Sequence, residues 1–157
     1  MSSSSPRLVC DCQVFLQAAL NDQGPAGRCL ELAEAGNLEL CVSEAVLAEV
    51  NDVLHRPELQ RRFARLTPAL VDAFLERIGE FAVTVEEVPA LFAYERDPKD
   101  EPYLNLAIAA GATHLVTRDK DLLDLQPDTS SEGERLRVLA PQLVILDPAS
   151  LLRALSH

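Results

Sequence analysis

Short apolar runs alternate with longer stretches of helical periodicity along this chain. The run Arg7–Cys10 reads as a buried strand that ends near Asp11. Residues 24–36 carry a helical pattern through Cys29, Leu30, Leu32 and Ala33, and Gly36 with Asn37 gives the stop signal. Residues 38–42 make a second strand, and Ser43 suits the N-cap of a helix running to about Arg56, where Pro57 stops it. A further helix follows from Glu58, another from Pro68 to about Glu80, and residues 81–85 look like a strand. After a connection over 93–96, Asp97-Pro98-Lys99-Asp100 opens a helix that ends at Gly111. Then come a strand over 113–117, a short helical turn over 121–125, and a polar, exposed loop over 126–134. A last strand covers 143–146, and Pro148–Leu155 is a closing helix with Pro148 suited to its first position.

Strands alternating with helices predict an α/β fold, with a mostly parallel sheet covered by helices on both faces. The chain has 157 residues, which suits one domain, expected over 7–157 behind a loose polar tail at 1–6. The tail lacks the apolar stretch of a signal peptide, no apolar run has the length of a membrane span, and a cytoplasmic protein is expected. Apolar residues make up 48% of the chain, which excludes a disordered or fibrous class. None of the 4 cysteines has a zinc-site spacing with His, so reduced and mostly buried thiols are expected. The formal net charge is −11, which argues against a protein that coats nucleic acid nonspecifically. It leaves room for an enzyme whose acids are gathered at a metal, and it fits a basic partner.

Four carboxylates stand out by position. Asp11 lies at the carboxyl end of the first strand and Asp119 just beyond the strand over 113–117. Ligands of open α/β sheets bind at that edge. Asp100 shares a helical stripe with Leu104, Ala107, Ile108 and Gly111, so it faces the sheet; its alternative role is to complement the helix dipole. Glu49 lies beside the apolar face of Val46, Leu47, Val50, Val53 and Leu54, within reach of a neighbouring cleft, but by pattern alone it reads as an ordinary helix-surface glutamate. Asp97 reads as an N-cap with Pro98 behind it, and Asp121 either caps the turn after Asp119 or joins a metal shell. Thr117 is placed to hydrogen-bond a carboxylate. Carboxylates at close range repel unless protons or cations sit among them. An oxygen-only ligand set selects Mg²⁺ or Mn²⁺, ions suited to phosphodiester hydrolysis. One basic cluster, Arg56, Arg61, Arg62 and Arg65, either tracks an RNA backbone, docks an acidic partner segment, or is a solvated helix surface.

In these residues the chain resembles the PIN-domain family, most closely the branch described as toxin components of bacterial toxin–antitoxin pairs. Leu8-Val9-Cys10-Asp11 is similar to the family's first strand and first acid. The helix from Ser43 to Val50 resembles the one carrying the family's Glu, which falls on Glu49. The segment from Asp97 through Asp100 to Ala107 resembles the one holding the third acid, on Asp100. Leu115-Val116-Thr117-Arg118-Asp119-Lys120-Asp121-Leu122-Leu123 resembles the strand-end motif, with the fourth acid on Asp119. The resemblance implies a three-layer fold with a five-stranded parallel sheet and a Mg²⁺- or Mn²⁺-dependent endoribonuclease. Asp11, Glu49, Asp100 and Asp119 would then be its catalytic and metal-binding acids. It also implies an RNA substrate, an antitoxin protein as partner and a homodimer.

The chain departs from the family after its first acid, where the usual Thr and Asn are replaced by Cys12 and Gln13. That Asn helps to orient the acids, so Gln13 supports a second reading, a catalytically weak PIN domain that binds protein or RNA. A third, an Asp-phosphorylated domain, fits poorly: a phosphatase of that kind needs a second Asp where Gln13 stands. The stretch 128–141 is longer than the family leads one to expect before its last strand.

Overall fold

The computed structural model describes residues 5–127 and 129–156, so most of the expected tail at 1–6 lies outside the described residues, as does Asp128. Five strands form one sheet: β1 (Arg7–Cys10), β2 (Glu39–Val42), β3 (Val83–Thr84), β4 (His114–Val116) and β5 (Val144–Leu146). Their order is β3-β2-β1-β4-β5, and every neighbouring pair is parallel. The sheet is therefore wholly parallel where the sequence predicts mostly parallel. Leu8, Val9 and Cys10 are all buried, and so are Leu40, Cys41 and Val42. Side chains pointing to both faces are covered, as a parallel sheet between helical layers requires.

The helices are α1 (Cys12–Leu20), α2 (Pro25–Glu34), α3 (Glu44–Leu54), α4 (Pro57–Arg62), α5 (Pro68–Phe81), α6 (Glu101–Ala110), α7 (Lys120–Leu123), α8 (Ser131–Leu139) and α9 (Pro148–Leu155). The chain packs α6 across β1, β2 and β4, while α2 lies against α1, α9 and β2. The N-cap expected of Ser43 is present: its hydroxyl accepts the Val46 N–H at 3.1 Å. The helix predicted from Asp97 to Gly111 begins instead as a 3-10 turn, Pro98–Asp100, before α6. It stops at Gly111, whose φ of 62° is left-handed and favours a residue without Cβ.

The strand expected over 81–85 shrinks to β3, because α5 runs on through Phe81, and two helices arise where none is expected. The hydrophobic pattern predicts no helix between β1 and residue 24, yet α1 lies there. Val14, Phe15 and Leu16 are consecutive and all buried, so α1 lacks the polar face that makes helical periodicity visible. The loop expected over 126–134 ends early, because Ser130 caps α8 by accepting the Gly133 N–H at 3.0 Å. α8 is polar and fixes itself through buried Leu136 and through Gly133, where a Cβ would meet the Pro127 carbonyl oxygen at 2.7 Å. It occupies most of the long stretch before β5.

The strand order creates the site. From β1 the chain moves outward to β2 and β3, then returns to place β4 on the other side of β1. β1 and β4 thus flank the point where connections diverge, and their carboxyl ends form a crevice. Asp11 and Thr117 are the residues that follow those two strands.

Candidate metal centre

Each acid at this edge is positioned by a turn that the local sequence demands. Asp11 caps α1, with one oxygen accepting the Val14 N–H at 3.1 Å. Its other oxygen accepts the hydroxyl of Thr117, a fully buried residue. The same Thr117 oxygen accepts the Asp119 N–H at 2.9 Å, so one hydroxyl ties the ends of β1 and β4 together. Asp119 caps α7 by accepting the Asp121 N–H at 2.9 Å. Asp97 caps the 3-10 turn by accepting the Lys99 N–H at 3.2 Å.

Asp100 is different. It occupies the N-cap position of α6 but makes no side-chain cap hydrogen bond. The residue is only 7% exposed, and its Oδ2 has no hydrogen-bond partner among the described residues. A buried carboxylate oxygen without a donor is costly. Burial, with the Asp119, Asp97 and Asp11 carboxylates nearby, pushes the Asp100 carboxyl up to about 8. Asp11 is pushed up to about 6 by burial, against the opposing hydrogen bonds from Thr117 and Val14.

Asp97, Asp100 and Asp119 each offer an oxygen within 4.8 Å of the other two. Around a small octahedral ion at about 2.0–2.1 Å, ligand oxygens are about 3–4 Å apart, so small rotations would bring this trio onto one ion. The trio, Asp11 and Glu49 line a single cleft of about 340 Å³. The oxygen-only donors and the partnerless Asp100 Oδ2 fit a hard divalent cation.

The other expected residues are distributed as follows. Glu49, half-buried on α3, lines the cleft but lies outside the trio, and it accepts the hydroxyl of Tyr103 from α6. Gln13 is exposed at the cleft, and its side chain hydrogen-bonds none of the acids. Thr117 and the helix N–H groups do the orienting instead. Asp121 does not line the cleft; it pairs with Arg96 at 2.6 Å.

Two residues were not singled out for this role by the sequence. Asp97 reads in the sequence as an N-cap, but a carboxylate has two oxygens, and capping uses one of them. Its spacing of three from Asp100 was the available signal. Tyr103, 2% exposed and one turn after Asp100, reads as an ordinary core aromatic until Glu49 is placed opposite it.

The PIN domain family model matches residues 7–121, from β1 through the start of α7. The chain belongs to the PIN-domain family. No curated protein matches it. PIN domains are generally nucleases that use divalent metals, and this PIN domain carries an acidic cluster of the kind such chemistry needs. No helix among its described residues is long and apolar enough to cross a membrane.

Proposed function

We propose that this PIN domain is a Mg²⁺- or Mn²⁺-dependent endoribonuclease and the toxin of a bacterial toxin–antitoxin pair, acting in the cytoplasm as a homodimer that an antitoxin protein restrains. The observation that carries the nuclease reading is Asp100. Its carboxylate is buried, makes no cap hydrogen bond, and among the described residues keeps one oxygen without a donor beside Asp97 and Asp119. A fold has no reason to hold such a group for stability alone. The toxin assignment draws on the resemblance of the motifs around Asp11, Glu49, Asp100 and Asp119 to that branch.

In this reading Asp97, Asp100 and Asp119 hold the ion. A bound Mg²⁺ or Mn²⁺ supplies an activated water and neutralises charge on the phosphodiester. Asp11 is fixed at the cleft floor by Thr117 and the Val14 N–H, ionised enough at neutral pH to repel a second bare carboxylate and attract a cation. Glu49 stands apart from the trio, held by Tyr103, and completes the acidic lining.

The deciding experiment is cleavage of single-stranded RNA by the purified, chelator-stripped protein. Activity should be absent without metal and return with Mn²⁺ or Mg²⁺. Cleavage that survives chelation and does not respond to added metal counts against the reading. RNA binding without cleavage under any divalent ion would favour the weakly catalytic binding module, which the uninvolved Gln13 side chain supports.

Tyr103→Phe keeps the buried ring and deletes only the hydroxyl on Glu49. Groups that orient a metal site's carboxylates typically contribute about 10–100-fold, and the low end is expected here. Tyr103→Phe on top of Glu49→Gln should add little, because Tyr103 then has no carboxylate to hold. Fully additive losses in the double variant would show that Tyr103 does not act through Glu49.

A further inference from the structure

The basic cluster noted in the sequence acquires a location. Arg56, Arg61, Arg62 and Arg65 are all exposed, with Glu58 the one acid among residues 56–65. This stretch carries four positive charges against one negative in a chain of net charge −11. α4 has no buried residue, so the helix is a ridge on the surface. Among the described residues Arg56 pairs with Asp52 at 3.0 Å, while Arg61, Arg62 and Arg65 make no ion pair. Arg62 lies over the half-buried Phe63 ring, 5.2 Å from its centroid, which fixes the direction of that side chain.

The ridge is continuous with the metal cleft. Glu49 and Val53, one turn apart on α3, line it, and so does Arg56, two residues beyond the end of α3. α4 begins at the residue after Arg56, so the ridge starts at the lining of the cleft. On another stretch of the cleft lining stands Lys99, exposed and without an ion pair among the described residues. A polyanion entering an otherwise acidic cleft needs cations in its lining, and among the described residues Lys99 and Arg56 supply them.

We infer that α4 is the substrate track: a single RNA strand runs through the metal cleft between Lys99 and Arg56, and its flanking phosphates lie on Arg61 and Arg62. This rests on the nuclease reading for the identity of the polyanion. A single strand fits better than a duplex. The cleft holds about 340 Å³, the size of a small-ligand pocket, and Asp100 is recessed in it. A base-paired helix cannot bring its backbone down to so buried a carboxylate. An acidic protein segment would find the same arginines, but the proposed hydrolysis acts on a phosphodiester, which favours the nucleic acid as occupant.

The test is binding of a fluorescent single-stranded 2′-O-methyl oligoribonucleotide, with its integrity followed on a gel, to the parent and to Arg61→Gln/Arg62→Gln. Gln keeps the helix propensity of these exposed positions, and a thermal melt checks the fold. Losing two phosphate contacts should flatten the slope of log affinity against log salt by about 1.4 and weaken binding on the order of tenfold at 0.1 M salt. Arg153→Gln, on α9, should bind as the parent does. An unchanged slope in the double variant overturns the track, and so does a duplex that binds as tightly with the same arginine dependence. Polyglutamate that needs Arg61 and Arg62 while the oligonucleotide does not would assign the ridge to a protein partner and also overturn it. The two readings fail separately: arginine-dependent binding without metal-dependent cleavage keeps the track and removes the nuclease, whereas cleavage with an unchanged slope does the reverse.

Discussion

Asp100→Asn is expected to abolish RNA cleavage while leaving the metal-free protein at least as stable as the parent. Burial and the neighbouring acids hold the Asp100 carboxyl up at about 8. At neutral pH the ion-free fold therefore keeps a proton on Asp100 that the unfolded chain would release, and this opposes folding. Asn resembles the protonated form and carries no such penalty. With metal the balance reverses, because an ion ligand is gone. The stabilisation that Mn²⁺ gives the parent should shrink, and cleavage should fall at least about 100-fold, since even groups behind the ligands contribute about 10–100-fold. If Asp100 served only the helix dipole, the variant would lose about 0.3–1 kcal/mol and keep its metal response. Melts of both proteins with and without Mn²⁺ separate the accounts. A destabilised apo variant with an intact Mn²⁺ shift would remove Asp100 from the centre.

Thr117→Val should lose both stability and activity, through a residue that offers the ion nothing. Val matches Thr in shape but cannot donate to Asp11 or accept from the Asp119 N–H. Both partners are left in a buried or half-buried place, at a cost of about 1–3 kcal/mol. For a chain of this length that lowers the melting temperature by several degrees. The ends of β1 and β4 also lose their tie, so Asp11 and Asp119 are no longer held in register, and metal affinity should drop about 10–100-fold. Thr117→Ser keeps the hydroxyl and should recover most of both. A valine variant with the parent's melting point and Mn²⁺ affinity would mean that the Thr117 bridge positions nothing.

Much of the fold is legible along the chain because its causes are local. Ser43 caps α3, Pro148 opens α9, and Gly111 ends α6, each by the backbone preference or side-chain reach of one residue. Where local signals fail, the reason is visible. α1 is apolar on too many sides to show a period, and α8 is so polar that its helix depends on the Ser130 cap and on a backbone approach that only Gly133 permits.

The sequence by itself determined that Asp11 follows β1 at once and that Asp119 stands just beyond β4, because each comes after a short apolar run that reads as a strand. It also determined that Asp100 faces inward, through its stripe with Leu104. Only the tertiary structure decided which carboxylates meet. The strand order β3-β2-β1-β4-β5 brings β1 and β4 together, and the 3-10 turn that carries Asp97 and Asp100 packs so that both meet Asp119 at the start of α7. The same packing turns Asp121 toward Arg96 and sets Glu49 against Tyr103, 54 residues away in the chain. Such meetings depend on contacts between distant segments, and periodicity along one segment carries no record of them.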